Sequence, residues 1–211
     1  MKSTIHEHQK NNFKIVSKTI KKIALLILFV TTFNSCDTND DDFYNTEYIS
    51  VPNLVSIQTQ ANYNVGDYLY VNSYINRLLA EPNQTNLLDI RKTTNNAPSF
   101  AFSYLLEKKV GEEWILVDAS FPNIDLNLGK FVTGGFYNAT AEFNVANDRY
   151  EFLCGIKLPS SGQYRLSFGY NSSSTSQVEL RSNSSSESIS LTIFSNVSNL
   201  DGEGYYNFTV N

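Results

Sequence analysis

From Tyr48 onward, short runs of alternating apolar and polar residues are separated by Gly, Pro, Asn and Asp. Such alternation puts every second side chain on one side of an extended chain and is typical of half-buried β-strands. We predict strands over residues 50–58, 68–75, 100–106, 114–117, 131–137, 140–145, 150–158, 163–170, 189–193 and 205–210. Residues 48–211 are therefore predicted to form one all-β domain, a single antiparallel β-sandwich.

Two polar segments interrupt the alternation. Residues 78–98 contain turn-forming Pro82 and Pro98 and are predicted to be a long connection. Residues 171–186 are rich in Ser and Asn and are predicted to be a loop, within which residues 177–181 have the pattern of an edge strand. No stretch keeps a 3.6-residue apolar period for long, so the best helical candidate is the short segment 75–81.

The N-terminal 35 residues have a different pattern. Residues 1–22 contain six lysines and one acid, Glu7, and an apolar run follows at 23–30. A basic segment, a short apolar run and a small residue at the break are the marks of a secretory signal. The apolar run is shorter than the roughly 20 residues that a transmembrane helix needs. We therefore predict that residues 1–35 are a cleaved signal peptide.

The sequence around Cys36 indicates what kind of signal this is. The four residues ending at Cys36 (FNSC) resemble the lipobox of bacterial lipoproteins, and the acidic stretch at 37–42 resembles the export signal of Bacteroidetes surface lipoproteins. The resemblance implies a lipid on Cys36, which anchors the protein to the outer membrane, exposed on the cell surface. It also implies that residues 36–47 form the lipidated cysteine and an acidic tether, with the export signal at Asp40, Asp41 and Asp42.

Charge and histidine content narrow the classes of function. Without the leader the chain holds ten basic and twenty acidic residues, and this net charge of −10 repels phosphate backbones, so nucleic acid is not expected as a partner. The two histidines, His6 and His8, both lie in the leader, which removes Ser-His-Asp and Cys-His catalytic sites and histidine-bearing zinc sites. A pair of carboxylates for glycoside hydrolysis is the remaining enzymatic alternative, with candidates Asp118, Asp125, Glu142, Asp148 and Glu151, although no spacing distinguishes any two of them. We expect a protein that is not an enzyme.

Cys154 is predicted to be a small apolar side chain in the core. It alternates with Tyr150, Phe152, Ile156 and Leu158 on one side of a predicted strand, while Glu151 and Lys157 fall on the other side. With Cys36 lipidated, Cys154 has no cysteine partner for a disulfide bond.

Two short motifs suggest a type of sandwich. Val65-Gly66-Asp67 and Gly162-Gln163-Tyr164-Arg165-Leu166 resemble segments of immunoglobulin-like and fibronectin-type domains. In those domains the second motif lies near the start of a late strand, at the tyrosine corner. The resemblance implies an immunoglobulin-like sandwich; a jelly roll is the alternative.

Aromatic residues near strand ends are the candidates for ligand contact. Tyr137, Tyr170, Tyr205 and Tyr206, together with Trp114, have the composition of a sugar-stacking platform, and the alternative is that they close the core. No cofactor is expected. If an ion is bound, calcium fits best, since the turns at residues 147–148 and 201–204 offer oxygen ligands, but acidic residues near glycine are common in turns that bind no metal. We therefore expect a binding, adhesion or glycan-handling accessory module. The alternative is a structural or assembly subunit that binds another envelope protein by its sheet edge or loops.

Overall fold

The computed structural model describes residues 45–82, 84–168, 176–184 and 189–211. Over these residues the chain is mostly β-strand, with a helical turn at Ile90–Thr93. The prediction of an all-β, sandwich-like fold is confirmed. The strands are β1 Thr46–Ser50, β2 Val55–Gln58, β3 Tyr68–Asn76, β4 Leu78–Leu79, β5 Leu88–Asp89, β6 Ser99–Val110, β7 Glu113–Leu116, β8 Ile124–Leu128, β9 Lys130–Thr133, β10 Tyr137–Asn144, β11 Arg149–Lys157, β12 Gly162–Ser167, β13 Gln177–Ser182, β14 Ser190–Asn196 and β15 Tyr205–Val210.

The long strand β6 belongs to two sheets. Its first half continues the larger sheet, which is ordered β1-β14-β13-β6-β10-β11-β3-β2. Its second half pairs with β12 and β7, and β15 adds to β12, which makes a second sheet ordered β7-β6-β12-β15. The inward-pointing side chains of both sheets belong to one core cluster. The hairpin of β6 and β7 around Gly111 agrees with the sequence pattern.

The segment between β1 and β2 connects the two ends of the larger sheet. β1 pairs in parallel with β14, whereas β2 pairs antiparallel with β3. Between them, the Leu54 N–H donates to Ser195 Oγ at 2.9 Å and the Asn53 N–H donates to the Asn196 carbonyl at 3.1 Å. The predicted strand at 50–58 is therefore two strands, with Pro52, which has no N–H to donate, at the change of partner. The prediction of a purely antiparallel sandwich is wrong at β1.

A bend at Gly129 divides one extended segment between two partners. β8 before the bend pairs with β11, and β9 after it pairs with β10. Gly129 has a φ of +77°, and a Cβ at this position would lie 2.3 Å from the Thr140 carbonyl oxygen and 3.0 Å from the Glu151 carbonyl oxygen. A glycine is therefore required where the backbones of β10 and β11 approach this segment. The sequence pattern did not predict β8.

The central strand β11 is buried on both of its faces. Tyr150, Phe152, Cys154, Ile156 and Leu158 are at most 1% exposed, which confirms the predicted core position of Cys154. Burial raises the pKa of the Cys154 thiol to about 12. On the other face, where the alternation put Glu151 and Lys157, the Glu151 side chain is also buried.

Two predictions, the edge strand at 177–181 and the helix at 75–81, are corrected. The segment predicted as an edge strand is β13, which lies between β14 and β6 and buries Val178 and Leu180. The predicted helix at 75–81 is not formed: β3 continues to Asn76, and β4 then pairs with β5. The helical turn instead follows Asp89, whose side chain accepts from the Lys92 N–H and so caps the turn.

Candidate ligand-binding face

The outward side of β6 runs across both sheets and forms what we call the outer face. Every second residue of β6 points outward and is partly exposed. The outward residues are Ala101, Ser103, Leu105, Glu107 and Lys109. The residues that point into the core are Phe100, Phe102, Tyr104 and Leu106. The outer face comprises these outward β6 residues and their cross-strand neighbours on β7, β12, β13 and β15. Most of its side chains are half-buried, which means that they are held in place and still accessible.

The part of the outer face that lies on the second sheet is built around Arg165 of β12. Its guanidinium lies between two aromatic rings, 4.4 Å from the centre of the Trp114 ring and 4.4 Å from the centre of the Tyr205 ring. The Arg165 Nε donates to Glu107 Oε2 at 2.7 Å. Trp114 comes from β7, Glu107 from β6 and Tyr205 from β15, so each strand of the second sheet contributes one group. The result is a stack of two rings on one guanidinium, whose charge is paired with Glu107.

The part of the outer face that lies on the larger sheet contains a cleft of about 170 Å³. The cleft lies where the strand paired with β6 changes from β13 to β12. Ser103 Oγ donates to Asn138 Oδ1 at 3.2 Å, and Arg181 pairs with Glu179 at 2.5 Å. The cleft thus combines hydroxyl, amide and paired ionic groups. Its lining residues are Ala101, Phe102, Ser103, Asn138, Phe168, Glu179 and Arg181.

The four tyrosines predicted to contact a ligand lie in different environments. Tyr137 is 1% exposed, and its hydroxyl donates to the carbonyls of Leu106 and Val117, so this residue lies in the core, as the alternative interpretation expects. Tyr205 lies on the outer face, stacked on Arg165. Tyr206 points to the opposite side of β15, where its hydroxyl lies 3.2 Å from that of Tyr63. Tyr170 lies outside the described residues.

The predicted anchor and export signal also lie outside the described residues. This applies to Cys36 and to Asp40, Asp41 and Asp42. The first described residue is Asn45, and β1 begins at Thr46, within the segment predicted as a tether. In the described part of the chain, no helix is long and apolar enough to cross a membrane.

The turns considered for calcium use their oxygens within the protein. Both carboxylate oxygens of Asp201 are hydrogen-bond acceptors, one from the N–H groups of Glu203 and Tyr205 and the other from the Asn207 side chain. At the other turn, Asp148 Oδ1 lies 3.8 Å from Arg77 Nη1, with which it forms an ion pair. Among the residues that the structure describes, no group of three acidic, histidine or cysteine side chains is placed to hold a metal ion.

The carboxylates considered for hydrolysis have separate partners. Glu142 pairs with Lys130 at 2.6 Å, and Asp125 accepts a hydrogen bond of 2.5 Å from the Tyr70 hydroxyl, which holds the pKa of Asp125 below its usual value. Burial raises the pKa of Glu151, but hydrogen bonds from Asn144, Arg149 and Asn147 outweigh that effect and leave the pKa low. A general acid at neutral pH needs a raised pKa, which is the opposite direction.

Sequence reasoning did not predict the roles of Arg165 and Glu107. Arg165 stands between buried Tyr164 and Leu166 in an alternating strand, a position where a solvated arginine is the ordinary expectation. A search for arginine and aromatic residues at outward positions of several strands would have found the stack, but only with the strand pairing known. No protein-family model, curated protein or solved structure matches this chain.

Proposed function

We propose that this protein is a non-enzymatic binding protein of the cell surface and that its outer face binds uncharged glycans. The observation that carries the proposal is the stack of Trp114, Arg165 and Tyr205 on an open sheet face, beside a polar cleft. A sugar ring has apolar C–H faces and hydroxyl edges. Aromatic rings pack on the former, while planar polar groups such as Arg, Glu and Asn hydrogen-bond the latter.

Charge pairing on this face favours a neutral ligand. Arg165 is paired with Glu107, and Arg181 is paired with Glu179, so neither arginine presents an uncompensated positive charge. The −10 net charge of the chain after the leader further disfavours polyanions. A neutral, hydroxyl-rich ligand gains hydrogen bonds from both partners of each pair without breaking it.

Replacing Trp114 tests the binding proposal. We expect Trp114→Ala to weaken binding to neutral glycans on an array by about tenfold or more, because the ring and the ordered Arg165 are lost together. Phe121→Ala is the matched control, since Phe121 is an aromatic residue that is 87% exposed on a loop. Equal glycan binding by wild type and Trp114→Ala, in protein that remains folded, contradicts the proposal. Capture of one envelope protein without any glycan binding favours the assembly-subunit alternative.

We also propose that the sandwich is immunoglobulin-like rather than a jelly roll. In support, β7-β6-β12-β15 forms one sheet, and β2, β3, β11 and β8 are neighbours in the other. Tyr63 bridges in parallel to Val210 of the last strand. The Tyr164 hydroxyl donates to the Ser160 carbonyl at 2.7 Å near the start of β12, the bond that defines a tyrosine corner. A crystal structure with two Greek keys of the jelly-roll order would refute this assignment.

We further propose that Cys36 is lipidated and that Asp40, Asp41 and Asp42 direct the protein to the outer face of the outer membrane. The support is the basic and apolar leader before Cys36 and the acidic run after it. Metabolic labelling with an alkyne fatty acid should mark wild type and not Cys36→Ala. Protease shaving of intact cells should degrade wild type, but spare a variant with all three aspartates changed to alanine. Equal labelling, or equal susceptibility to the protease, would show that the corresponding assignment is wrong.

A further inference from the structure

The size of the cleft sets how much of a ligand it holds. Its volume is about 170 Å³, whereas pockets that enclose a whole small ligand usually measure roughly 300–1,000 Å³. The cleft therefore accommodates one ring-sized unit. Its mouth is on the outer face, so the remainder of any ligand lies on that surface.

Aromatic side chains lie beyond the cleft in two directions, on β15 next to β12 and on β14 next to β13. Toward the second sheet, the next outward residue of β6 after Ser103 is Leu105. Its cross-strand neighbour is Ser167 of β12, which is in turn paired with Tyr205 of β15. On the far side of β13, Phe194 is the cross-strand neighbour of Glu179 and stacks on Tyr48, with ring centres 6.1 Å apart and planes 16° apart. Tyr48 is 63% exposed. A ligand unit in the cleft therefore has a stacking surface available in either direction.

The distance along β6 fixes the scale of the surface. Lys109 is the cross-strand partner of Trp114, and the six-residue step from Ser103 to Lys109 spans roughly 20 Å of extended chain. This distance exceeds a single sugar ring several times over. A disaccharide cannot occupy the cleft and reach Trp114 at the same time.

From these observations we propose that the ligand is a linear, uncharged polysaccharide, bound through an internal stretch of several units. One unit occupies the cleft beside Ser103, Asn138, Glu179 and Arg181, and the following units lie along β6 to the Trp114 and Arg165 stack. The proposal rests on the proposed glycan-binding function and adds the polymer class, the neutral charge and the path.

The test uses the full chain in detergent solution. Native gels containing soluble glucans, mannans, xylans or galactans, each in a separate gel, give the retardation by neutral polymers, and polygalacturonate gives that by an acidic one. Oligosaccharides from disaccharide to octasaccharide, cut from the polymer that retards most, are then titrated calorimetrically. We expect affinity to rise with length until the path is filled, with the disaccharide at least about tenfold weaker than the hexasaccharide.

A cleft-filling variant separates this proposal from the broader one. Ser103→Tyr adds a ring inside the cleft and should weaken hexasaccharide binding by about tenfold while leaving the Trp114 stack in place. Gln58→Tyr adds the same ring at an exposed position of β2, at the far end of the sheet order, and should change nothing. Suppose that wild type binds the hexasaccharide and Trp114→Ala does not. The path along β6 is then refuted if Ser103→Tyr binds normally, or if the disaccharide binds as tightly as the hexasaccharide. The glycan-binding function survives either result. Retardation by polygalacturonate alone refutes the neutral class. Retardation by none of the polymers overturns both proposals.

Discussion

Gly129→Ala should destabilise the fold much more than an alanine substitution at another glycine with a similar backbone conformation. Gly129 and Gly111 have positive φ values of +77° and +62°. The left-handed conformation costs a non-glycine residue about 1–2 kcal/mol, and the reduced freedom of the unfolded chain offsets about 0.4–1 kcal/mol of that cost. Gly111 has no atom within 4 Å of an added Cβ, so Gly111→Ala should lose about 1 kcal/mol.

At Gly129 a steric cost is added to the conformational one. The added Cβ would lie 2.3 Å from the Thr140 carbonyl oxygen, 3.0 Å from the Glu151 carbonyl oxygen and 3.1 Å from Phe152 Cδ2. Two of these atoms are backbone atoms of paired strands, which are less free to move than the end of a flexible side chain. Overpacking of this kind costs about 1–3 kcal/mol, which brings the expected loss to about 2–4 kcal/mol.

Urea unfolding measures the difference. Trp114 is the only tryptophan, so its fluorescence reports the transition in all three proteins. The free energies of unfolding are compared at equal slopes, because a changed slope would indicate a changed unfolded state or loss of two-state behaviour. If Gly129→Ala and Gly111→Ala lose the same free energy, the close approach of β8–β9 to β10 and β11 is not a packing constraint, and the reasoning fails.

Two further substitutions test the buried groups of β11. Cys154→Ser should lower the free energy of unfolding by roughly 1–3 kcal/mol, because the hydroxyl is buried among apolar groups. The wild-type thiol should react with a maleimide only after urea is added. Rapid reaction of the native protein would place the thiol at the surface. The pKa of Glu151 is lower in the folded protein than its usual 4.5, so its contribution to stability is present above that pH and is lost as the pH falls through the folded pKa. Glu151→Gln should lower the free energy of unfolding at pH 7 by about 1–3 kcal/mol. It should also flatten the decline of that free energy as the pH falls below 4.5, and an unchanged acid profile would contradict the assignment.

Alternation along the chain was sufficient to predict most strands. Inward positions such as Phe100, Phe102 and Phe152 are large and apolar, and burying them is favourable enough to determine which side of each strand faces the core. The same logic placed Cys154 correctly. It also indicated a strand at β13 but predicted an edge position, because the serine- and asparagine-rich flanks are typical of a loop, whereas Val178 and Leu180 are buried between two neighbouring strands.

The candidate site was predictable only in part, because it depends on which strands become neighbours. Tyr137 and Tyr205 each begin a strand, yet one lies in the core and the other on the outer face. Adjacent residues of a strand point to opposite sides, so Tyr205 and Tyr206 cannot share a surface, and the sequence alone could have excluded that pairing. The stack around Arg165 requires β7, β6, β12 and β15 to be in register, which is long-range information that no local pattern contains.

The parallel pairing of β1 has a mechanical consequence for a tethered protein. β1 runs in the same direction as β14 and β6, so the chain enters the fold at the end where β6 begins, whereas Trp114 pairs near the end where β6 finishes. If Cys36 is anchored and a bound polymer is pulled, tension passes lengthwise through the sheet. The five register pairs between β1 and β14 are then loaded in shear, all together, rather than opened one after another. The mechanical resistance of the anchored protein to a pulled ligand would therefore depend on this short edge strand. Ile49→Pro should lower the unfolding force while leaving the stack of Trp114, Arg165 and Tyr205 in place.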